Sequence, residues 1–298
     1  MKTCSICKSK NLSFYNYANH CGKLNWYKIK HLPFYLLTPL VKRGIFPSKK
    51  IVTASFFNPW REIVYCKQCG YGEYKSGLNE KNMKYYYSDN YWQSVNNKTN
   101  KKVNMQPNQI KRAKSQLSFI DDYLPQKKSL KSLEIGAAAA IPSTLIKKKD
   151  ASNQCHVVEQ GKKWNGFYKR QQTTQVASFF PFKSEEKYDL IFASRWLEHV
   201  INLKSCVQTM KELLNKGGTV FIEVPNCNED YFNLDTRDIP HISFFTVNSL
   251  KRIFKSVGFD VVKIQTFGFS YKNTNKKIKN ENQLNPNGDH IRAIFKSV

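Results

Sequence analysis

The chain has 298 residues, of which 41% are hydrophobic and 14% aromatic, so it can bury a substantial core in one large or two smaller domains. Its 48 Lys and Arg against 22 Asp and Glu give a formal net charge of +26, which favours anionic partners such as nucleic acid, nucleotide-linked or phosphorylated small molecules, or acidic membrane surfaces. The competing interpretation is a general abundance of Lys and Asn along the whole chain, as in proteins from AT-rich genomes. No apolar run reaches the roughly 18 residues of a membrane-spanning helix, and the amino terminus lacks the apolar core of a signal peptide, so the sequence predicts a cytoplasmic protein without a membrane span.

Two Cys-x-x-Cys pairs mark the amino-terminal segment 1–75, which holds five of the eight cysteines. Two intervening residues let both thiolates of a pair reach one ion, and four thiolates complete the closed tetrahedral site of a structural zinc. The sequence therefore predicts a small zinc-ribbon-like module that binds one Zn²⁺ through Cys4, Cys7, Cys66 and Cys69. The 58 residues between the pairs make a long gap for such a ribbon. Unrelated reduced thiols, or His20 and Cys21 as ligands beside the first pair, are open alternatives.

Residues 76–125 are predicted to form an aromatic linker and a leading helix. The first part, 76–106, is rich in Asn and Tyr and has no clear period, which favours a connecting segment. From 107 to 124 apolar residues recur at helical spacing, and Pro125 ends the pattern. The face that they define consists of Ile110, Ala113, Leu117, Ile120 and Leu124.

Strand and helix patterns alternate through residues 126–298, the third predicted segment. Strands are predicted at 129–135, 154–159, 173–180, 188–194, 219–224, 259–267 and 290–298. Helices are predicted at 141–149, 203–214 and 246–257, the second of them ended by Gly217 and Gly218. This alternation predicts an α/β fold with a mostly parallel sheet covered on both faces and an antiparallel edge formed by the last two strands. In such sheets, ligands bind beyond the carboxyl ends of the strands.

The first strand of this alternation runs into a loop with the residues LEIGAAAA, 133–140. Gly136 lets the backbone turn sharply and lets a ligand approach closely, because it has no Cβ. Ala138 and Ala140 stand where further glycines are expected, and each costs about 1 kcal/mol if its φ must be positive. Glu159 ends the second strand, 23 positions after Gly136, where an acidic side chain can accept both hydroxyls of a ribose. A plain strand-to-helix connection explains the loop equally well.

Five segments in order give residues 130–298 a resemblance to the class I S-adenosylmethionine (SAM)-dependent methyltransferases. They are LEIGAAAA, HVVEQ, FPFKSEEKYDLIFASRWLEHVIN, MKELLNKGGTVFIEVPN and HISFFTVNSLKRIFKSVGFDVV. The resemblance implies a Rossmann-like seven-stranded α/β domain and an enzyme that transfers the methyl group of SAM. It also implies a cofactor site lined by Glu134, Gly136, Ala138, Glu159 and Ser194. The acid that this family often has after the third strand is not evident in QVASFFPF.

The layout of the whole chain is similar to the sugar methyltransferases of glycan and antibiotic-sugar pathways. Those enzymes join an amino-terminal zinc module to a methyltransferase domain, with an aromatic stretch similar to YYYSDNYW between them. Members that methylate carbon usually carry Y-x-E-H where this chain has Asp238-Ile239-Pro240-His241. The resemblance therefore implies O- or N-methylation, rather than C-methylation, of a small, anionic sugar or nucleotide-sugar in glycan biosynthesis.

Two histidines are candidates for the chemistry. Glu198 and His199 follow the fourth predicted strand of the alternation, and a histidine there can take a proton from a substrate hydroxyl near neutral pH. His241 precedes a predicted helix beyond the fifth strand, where members of the family often close over the substrate. The competing interpretation is that Glu198 and His199 cap or pack the next helix.

Two other functions are compatible with the sequence. An RNA methyltransferase could use the zinc module and the net charge of +26 to hold phosphates, although the lysines form no basic tract with interleaved aromatics. A binding protein without catalytic activity is the second alternative, because the alanines of the loop could prevent it from holding the cofactor. The oligomeric state is open.

Overall fold

The computed structural model describes residues 3–16, 40, 62–75, 79–87, 105–232, 241–271 and 280–297. The chain forms two compact units. The amino-terminal unit comprises residues 1–101, 198–201 and 227–249, and the larger unit comprises residues 102–197, 202–226 and 250–298. The sequence predicted three consecutive segments, whereas each unit draws on separate stretches of the chain. Within the ranges described, no helix is long and apolar enough to cross a membrane.

An antiparallel sheet forms the frame of the amino-terminal unit. Its strands are β1 (Leu12–Asn16), β2 (Glu62–Cys66), β3 (Gly72–Tyr74) and β9 (Ser243–Phe244), in the order β1-β2-β3-β9. Short helices α1 (Glu80–Tyr86) and α6 (Glu229–Phe232) belong to the same unit. Because β9 pairs with β3, the residues that precede β9 lie beside the strand that follows the second cysteine pair.

A seven-stranded sheet forms the core of the larger unit. Its order is β10-β11-β8-β7-β4-β5-β6, with β4 to β8 parallel and β11 antiparallel to both β8 and β10. The strands are β4 (Lys131–Ile135), β5 (Gln154–Val158), β6 (Thr174–Ala177), β7 (Tyr188–Ser194), β8 (Leu214–Pro225), β10 (Phe259–Ser270) and β11 (Gly288–Ser297). This confirms the α/β fold with a mostly parallel seven-stranded sheet and an antiparallel edge.

Helices alternate with these strands. They are α2 (Pro107–Ile120), α3 (Ile141–Lys149), α4 (Asn165–Arg170), α5 (Leu203–Leu213) and α7 (Val247–Lys255). The central strand β7 is buried at six consecutive residues, Tyr188 to Ala193. Since successive side chains of a strand point to opposite faces, burial without alternation means that both faces of this strand are covered.

Two predicted helix ends are wrong. Helix α5 ends at Leu213 and strand β8 begins at once, so Gly217 and Gly218 lie inside the strand rather than behind the helix. The register of β8 against β7 shifts between Tyr188 and Leu190, where the extra residues of β8 form a bulge. Helix α2 ends at Ile120 and a 3₁₀ turn follows, whereas the sequence predicted a helix to 124.

Helix α1 lies in the segment that the sequence predicted as a linker without a period. Asn79 accepts a hydrogen bond from the amide of Asn82, and Asn82 accepts one from the amide of Asn79. Met83 and Tyr86 are buried. The reciprocal capping pair is therefore the sequence signal that could have predicted this helix.

Candidate functional site

The loop after β4 has a backbone conformation that usually requires glycine. Gly136 has φ 69°, and Ala138 and Ala140 have φ 43° and 44°. A left-handed alanine is strained by about 1 kcal/mol because its Cβ approaches the following carbonyl. The loop thus adopts positive φ at the two positions where alanine replaces the expected glycine.

Glu159 connects the end of β5 to this loop. Its carboxylate accepts hydrogen bonds from the backbone amides of Ala138 and Gly161, both at 2.9 Å. Burial raises the pKa of Glu159, and the amide bonds act in the opposite direction. The amide of Gln160 also bonds this carboxylate, so of its roughly four lone-pair positions about one stays available for a ribose hydroxyl. Glu159 therefore fits the cofactor role that the resemblance implies.

Glu134 lies deeper and has a different function in the fold. Its carboxylate accepts a 2.6 Å hydrogen bond from Ser143 Oγ and a 3.0 Å bond from the Ser143 amide, in the first turn of α3. Burial raises the pKa of Glu134 to about 7. The residue thus ties the start of α3 to β4, which positions the loop between them.

Two aromatic side chains support the loop. A Cβ added to Gly136 would lie 2.6 Å from Cδ1 of Trp196, so the indole packs directly on the glycine backbone. Tyr168 donates a 2.7 Å hydrogen bond from its hydroxyl to the carbonyl of Ala138. Any larger residue at position 136 would displace Trp196, and this close approach explains why glycine is kept there.

Ser194, the predicted cofactor residue at the end of β7, belongs to a buried polar network. Its hydroxyl accepts a 2.8 Å bond from Gln116 and lies 3.3 Å from Glu223 Oε1. Glu223 pairs with Arg292 at 2.7 Å across β8 and β11, and both side chains are 0% exposed. Burial raises the pKa of Glu223, but the charges of Arg195 and Arg292 outweigh it and hold that pKa at about 2.

The sequence analysis did not single out Gln116, Glu223 or Arg292. A signal was present, since Glu223 and Arg292 each interrupt an apolar strand pattern and therefore need an internal partner. The network occupies the position beneath the end of β7, so it fixes Ser194 in place.

The four cysteines predicted as metal ligands come together in the amino-terminal unit. Their sulfur atoms all lie within 4.8 Å of one another, with Cys4 and Cys69 3.6 Å apart and Cys7 and Cys66 3.5 Å apart. Four sulfurs at about 2.3 Å from a tetrahedral zinc stand about 3.8 Å apart, which agrees with these separations. The cluster therefore fits a structural zinc, and the seven cysteines of the described residues include no disulfide.

Both cysteine pairs end in the same type of turn. The residue after the second cysteine has positive φ in each pair: 62° at Lys8 and 74° at Gly70. A Cβ on Gly70 would lie 2.3 Å from Oγ1 of Thr246, and this hydroxyl donates a 3.1 Å hydrogen bond to the carbonyl of Cys69. The turn after Cys69 is thus packed tightly against the chain that follows β9.

Glu198, His199 and His241 form a second group, which we call the acid–imidazole cluster. One ligand atom of each lies within 4.8 Å of the other two, and Nε2 of His241 is 3.9 Å from the Glu198 carboxylate. The two imidazole rings are 5.0 Å apart, and Tyr87 packs its ring edge-to-face with His199 at 5.7 Å. The three residues that the sequence proposed for catalysis are therefore neighbours in the fold.

Backbone hydrogen bonds hold this cluster on the antiparallel sheet. The amide of Ile242 donates a 2.9 Å bond to the carbonyl of Glu198, and the carbonyl of Ile242 accepts one of 2.9 Å from the amide of Tyr74. Ser243 donates from its hydroxyl to the carbonyl of Val200 at 3.1 Å. Cys66, the end of β2, and β3 belong to the same sheet, so the cysteine site and the cluster share one scaffold.

Several residues named in the sequence analysis lie outside the described residues. They are His20 and Cys21, the proposed alternative ligands, residues 88–92 of the aromatic stretch, and Asp238, Ile239 and Pro240 before His241.

A family model described as a methyltransferase domain matches residues 69–264, more than half of the chain. No curated protein matches the chain significantly. Among solved structures, a SAM-dependent methyltransferase from Clostridium acetobutylicum is similar at TM-score 0.47 and 10% identity, covering 70% of this chain and 98% of that one. The N-methyltransferase NodS from Bradyrhizobium japonicum, in complex with S-adenosylhomocysteine, gives TM-score 0.45 and 17% identity over 64% and 88%. The glycopeptide N-methyltransferase MtfA, complexed with sinefungin, gives TM-score 0.44 and 12% identity over 62% and 86%.

Proposed function

The chain belongs to the methyltransferase-domain family, and on that premise we propose that it methylates an oxygen or nitrogen of a small, anionic sugar or nucleotide-sugar. The family match confirms the enzyme class expected from the sequence, a SAM-dependent methyltransferase. The acceptor, the role of each site residue and the pathway, glycan biosynthesis, belong to the proposal.

The main support for the proposed cofactor site is the geometry of the loop after β4 and of Glu159. Gly136 turns the loop at φ 69° beneath the Trp196 indole, and backbone amides hold the carboxylate of Glu159, whose remaining acceptor capacity is proposed to bind the ribose. Bound there, SAM supplies an electrophilic methyl group on a sulfonium. Glu134 positions α3, and Ser194 at the end of β7 completes the proposed lining.

The acid–imidazole cluster is the proposed place where the proton of the acceptor is removed. Glu198 and His199 follow Ser194 by four and five positions, and ligands of parallel sheets bind beyond the carboxyl ends of strands. Transfer to a hydroxyl forms an oxygen–carbon bond, breaks the carbon–sulfur bond and releases the hydroxyl proton. His199 is the residue proposed to accept that proton, and His241 is proposed to position the acceptor.

The proposed chemical class of the acceptor is inferred from the net charge of the chain. The formal net charge of +26 favours an anion, and a phosphorylated or nucleotide-linked sugar combines negative charge with several hydroxyls. The zinc proposed at the four cysteines takes no part in this chemistry, because a four-thiolate site leaves no open coordination position.

The proposal is tested by incubating the full chain with radiolabelled SAM and a panel of nucleotide-sugars, sugar phosphates and short RNAs. We expect label in a nucleotide-sugar or sugar phosphate, with mass spectrometry locating the methyl group on oxygen or nitrogen. If RNA is labelled instead, and the labelling falls steeply as salt is added, the acceptor is RNA rather than a sugar. The matched control is Glu159→Ala, in which labelling at low SAM concentration should fall for any acceptor.

A further inference from the structure

We propose that Glu198, His199 and His241 bind a divalent first-row transition-metal ion, separate from the zinc proposed at the four cysteines. The inference starts from the donor set. Two imidazole nitrogens and one carboxylate oxygen suit ions such as Zn²⁺, Co²⁺, Fe²⁺ or Mn²⁺, whereas Mg²⁺ and Ca²⁺ favour oxygen-only sites.

The distances permit such a site after a small adjustment. Donor atoms at about 2.1 Å from a metal stand roughly 3.0–3.6 Å apart. In the structure the His241 nitrogen and the Glu198 oxygen are 3.9 Å apart, and the three donors lie within 4.8 Å of one another. Coordination would therefore require the donors to move about 1 Å closer, by rotation about the terminal torsions of Glu and His, which have broad energy wells.

The proposed ligands are largely shielded from water. The Glu198 side chain is 1% exposed and that of His241 is 16% exposed. A carboxylate at that depth attracts a divalent ion more strongly than an exposed one does, because less water screens the charges. The bond between the Ile242 amide and the Glu198 carbonyl holds two of the three ligands side by side before any ion arrives.

Three protein ligands make this an open site, in contrast to the closed four-cysteine site of the same unit. Water or a substrate oxygen can take the remaining positions. This part rests on the proposed function: with an ion bound, His199 would serve as a ligand in place of the base role proposed above, and the ion would make an acceptor hydroxyl more acidic.

Metal binding by the intact chain tests the inference without requiring turnover. The zinc content of the purified protein is measured first, and Co²⁺ is then added under equilibrium dialysis, with bound cobalt and zinc counted by mass spectrometry. We expect additional Co²⁺, equimolar with the protein, without loss of zinc. Its visible spectrum should lack sulfur-to-cobalt charge transfer, since no thiolate takes part. Electron spin-echo measurements on bound Mn²⁺ should show imidazole nitrogen.

Conservative substitutions identify the residues that bind the ion. Glu198→Gln, His199→Asn and His241→Asn should each lower the Co²⁺ affinity at least tenfold, with zinc content and far-UV circular dichroism unchanged. His156→Asn, which removes an imidazole from β5, should bind Co²⁺ as the native chain does. A native chain that holds neither a second zinc nor additional Co²⁺, or binding that survives all three cluster variants, would overturn the inference. Methyl transfer that persists in chelator, with only the cysteine-bound zinc retained, would overturn the catalytic part of the inference and leave the proposed function, with His199 as the base, intact.

Discussion

The backbone amide of Ala138 donates a 2.9 Å hydrogen bond to the carboxylate of Glu159. One carboxylate therefore shapes the loop after β4 and presents its remaining lone pairs beyond the end of β5. We therefore expect the affinity of the proposed cofactor site and the conformation of the loop to be coupled through this bond, because a change at residue 159 would alter both. The conformation of the loop also depends on the positive φ angles of Ala138 and Ala140.

Glycine at either strained position should stabilise the fold. Ala138→Gly and Ala140→Gly remove a Cβ at φ 43° and 44°, so the free energy of unfolding should rise by roughly 0.5–1 kcal/mol in each variant. Urea denaturation measures it. Ala139→Gly is the matched control, since Ala139 is not among the residues with positive φ, and it should lose about 0.5–1 kcal/mol. Equal losses in all three variants would mean that the loop is not strained.

One zinc ion per chain is expected at the cysteine cluster. Cys66→Ser removes one of four sulfurs that lie within 4.8 Å of one another, so the zinc content of the purified protein should fall from about one per chain to almost none. Mass spectrometry of the metal content measures this, and far-UV circular dichroism reports the structure. Cys155→Ser, a buried thiol on β5, should keep its zinc. A fully folded native protein that contains no zinc would contradict the assignment.

Burial of Glu134 makes stability depend on pH in a defined range. Its pKa is raised from 4.5 to about 7, so the protonated form is favoured in the folded state. This contribution is fully present below pH 4.5 and is lost as the pH rises towards 7. Glu134→Gln mimics the protonated carboxyl, so relative to the native chain it should gain on the order of 2–3 kcal/mol of unfolding free energy between pH 4.5 and 8.

The comparison should be made by urea denaturation at several pH values. Glu185→Gln removes one negative charge from an exposed position and serves as the control for the change in net charge. A constant difference between Glu134→Gln and the native chain over the whole range would show that the Glu134 carboxyl is not perturbed by burial.

Removal of the His199 imidazole should affect chemistry and spare the cofactor. His199→Ala should lower turnover by roughly 10²–10⁴-fold on the true acceptor, because a hydroxyl needs help to lose its proton. SAM affinity measured by calorimetry should stay nearly constant. The control His156→Ala should keep native turnover. Full turnover in His199→Ala would exclude the assignment, and a parallel loss of cofactor affinity would indicate a packing role instead.

Most of the larger unit could be predicted from sequence because its elements have strong local patterns. The apolar run of β7 and the helical spacing in α5 each specify their element within a few residues. The positions of the left-handed residues 138 and 140 were also predictable, since a loop of this outline needs positive φ there. Local patterns thus sufficed to predict an element wherever that element is long and packs on elements next to it in the strand–helix alternation.

The remaining features depend on contacts that are distant in sequence. Strand β9 has two residues and exists because Ser243 pairs with Glu73 of β3. The pair of Glu223 with Arg292 follows from the register of β8 and β11, which local periodicity does not reveal. The acid–imidazole cluster brings His241 to residues 42 and 43 positions earlier, and only the fold shows that they meet. Local sequence patterns therefore could not predict the register of strand pairing or the contacts between residues distant in sequence.

Titration calorimetry of SAM against the native chain and Glu159→Ala tests the proposed cofactor site most directly. We expect one SAM per chain with micromolar or weaker affinity, because the loop carries alanines in place of glycines. Glu159→Ala should weaken binding by about 1–3 kcal/mol, the range for lost hydrogen bonds to a charged group, and Glu185→Ala should leave it unchanged. Absence of binding by the native chain, or equal affinity in Glu159→Ala, would contradict a cofactor site formed by Gly136 and Glu159.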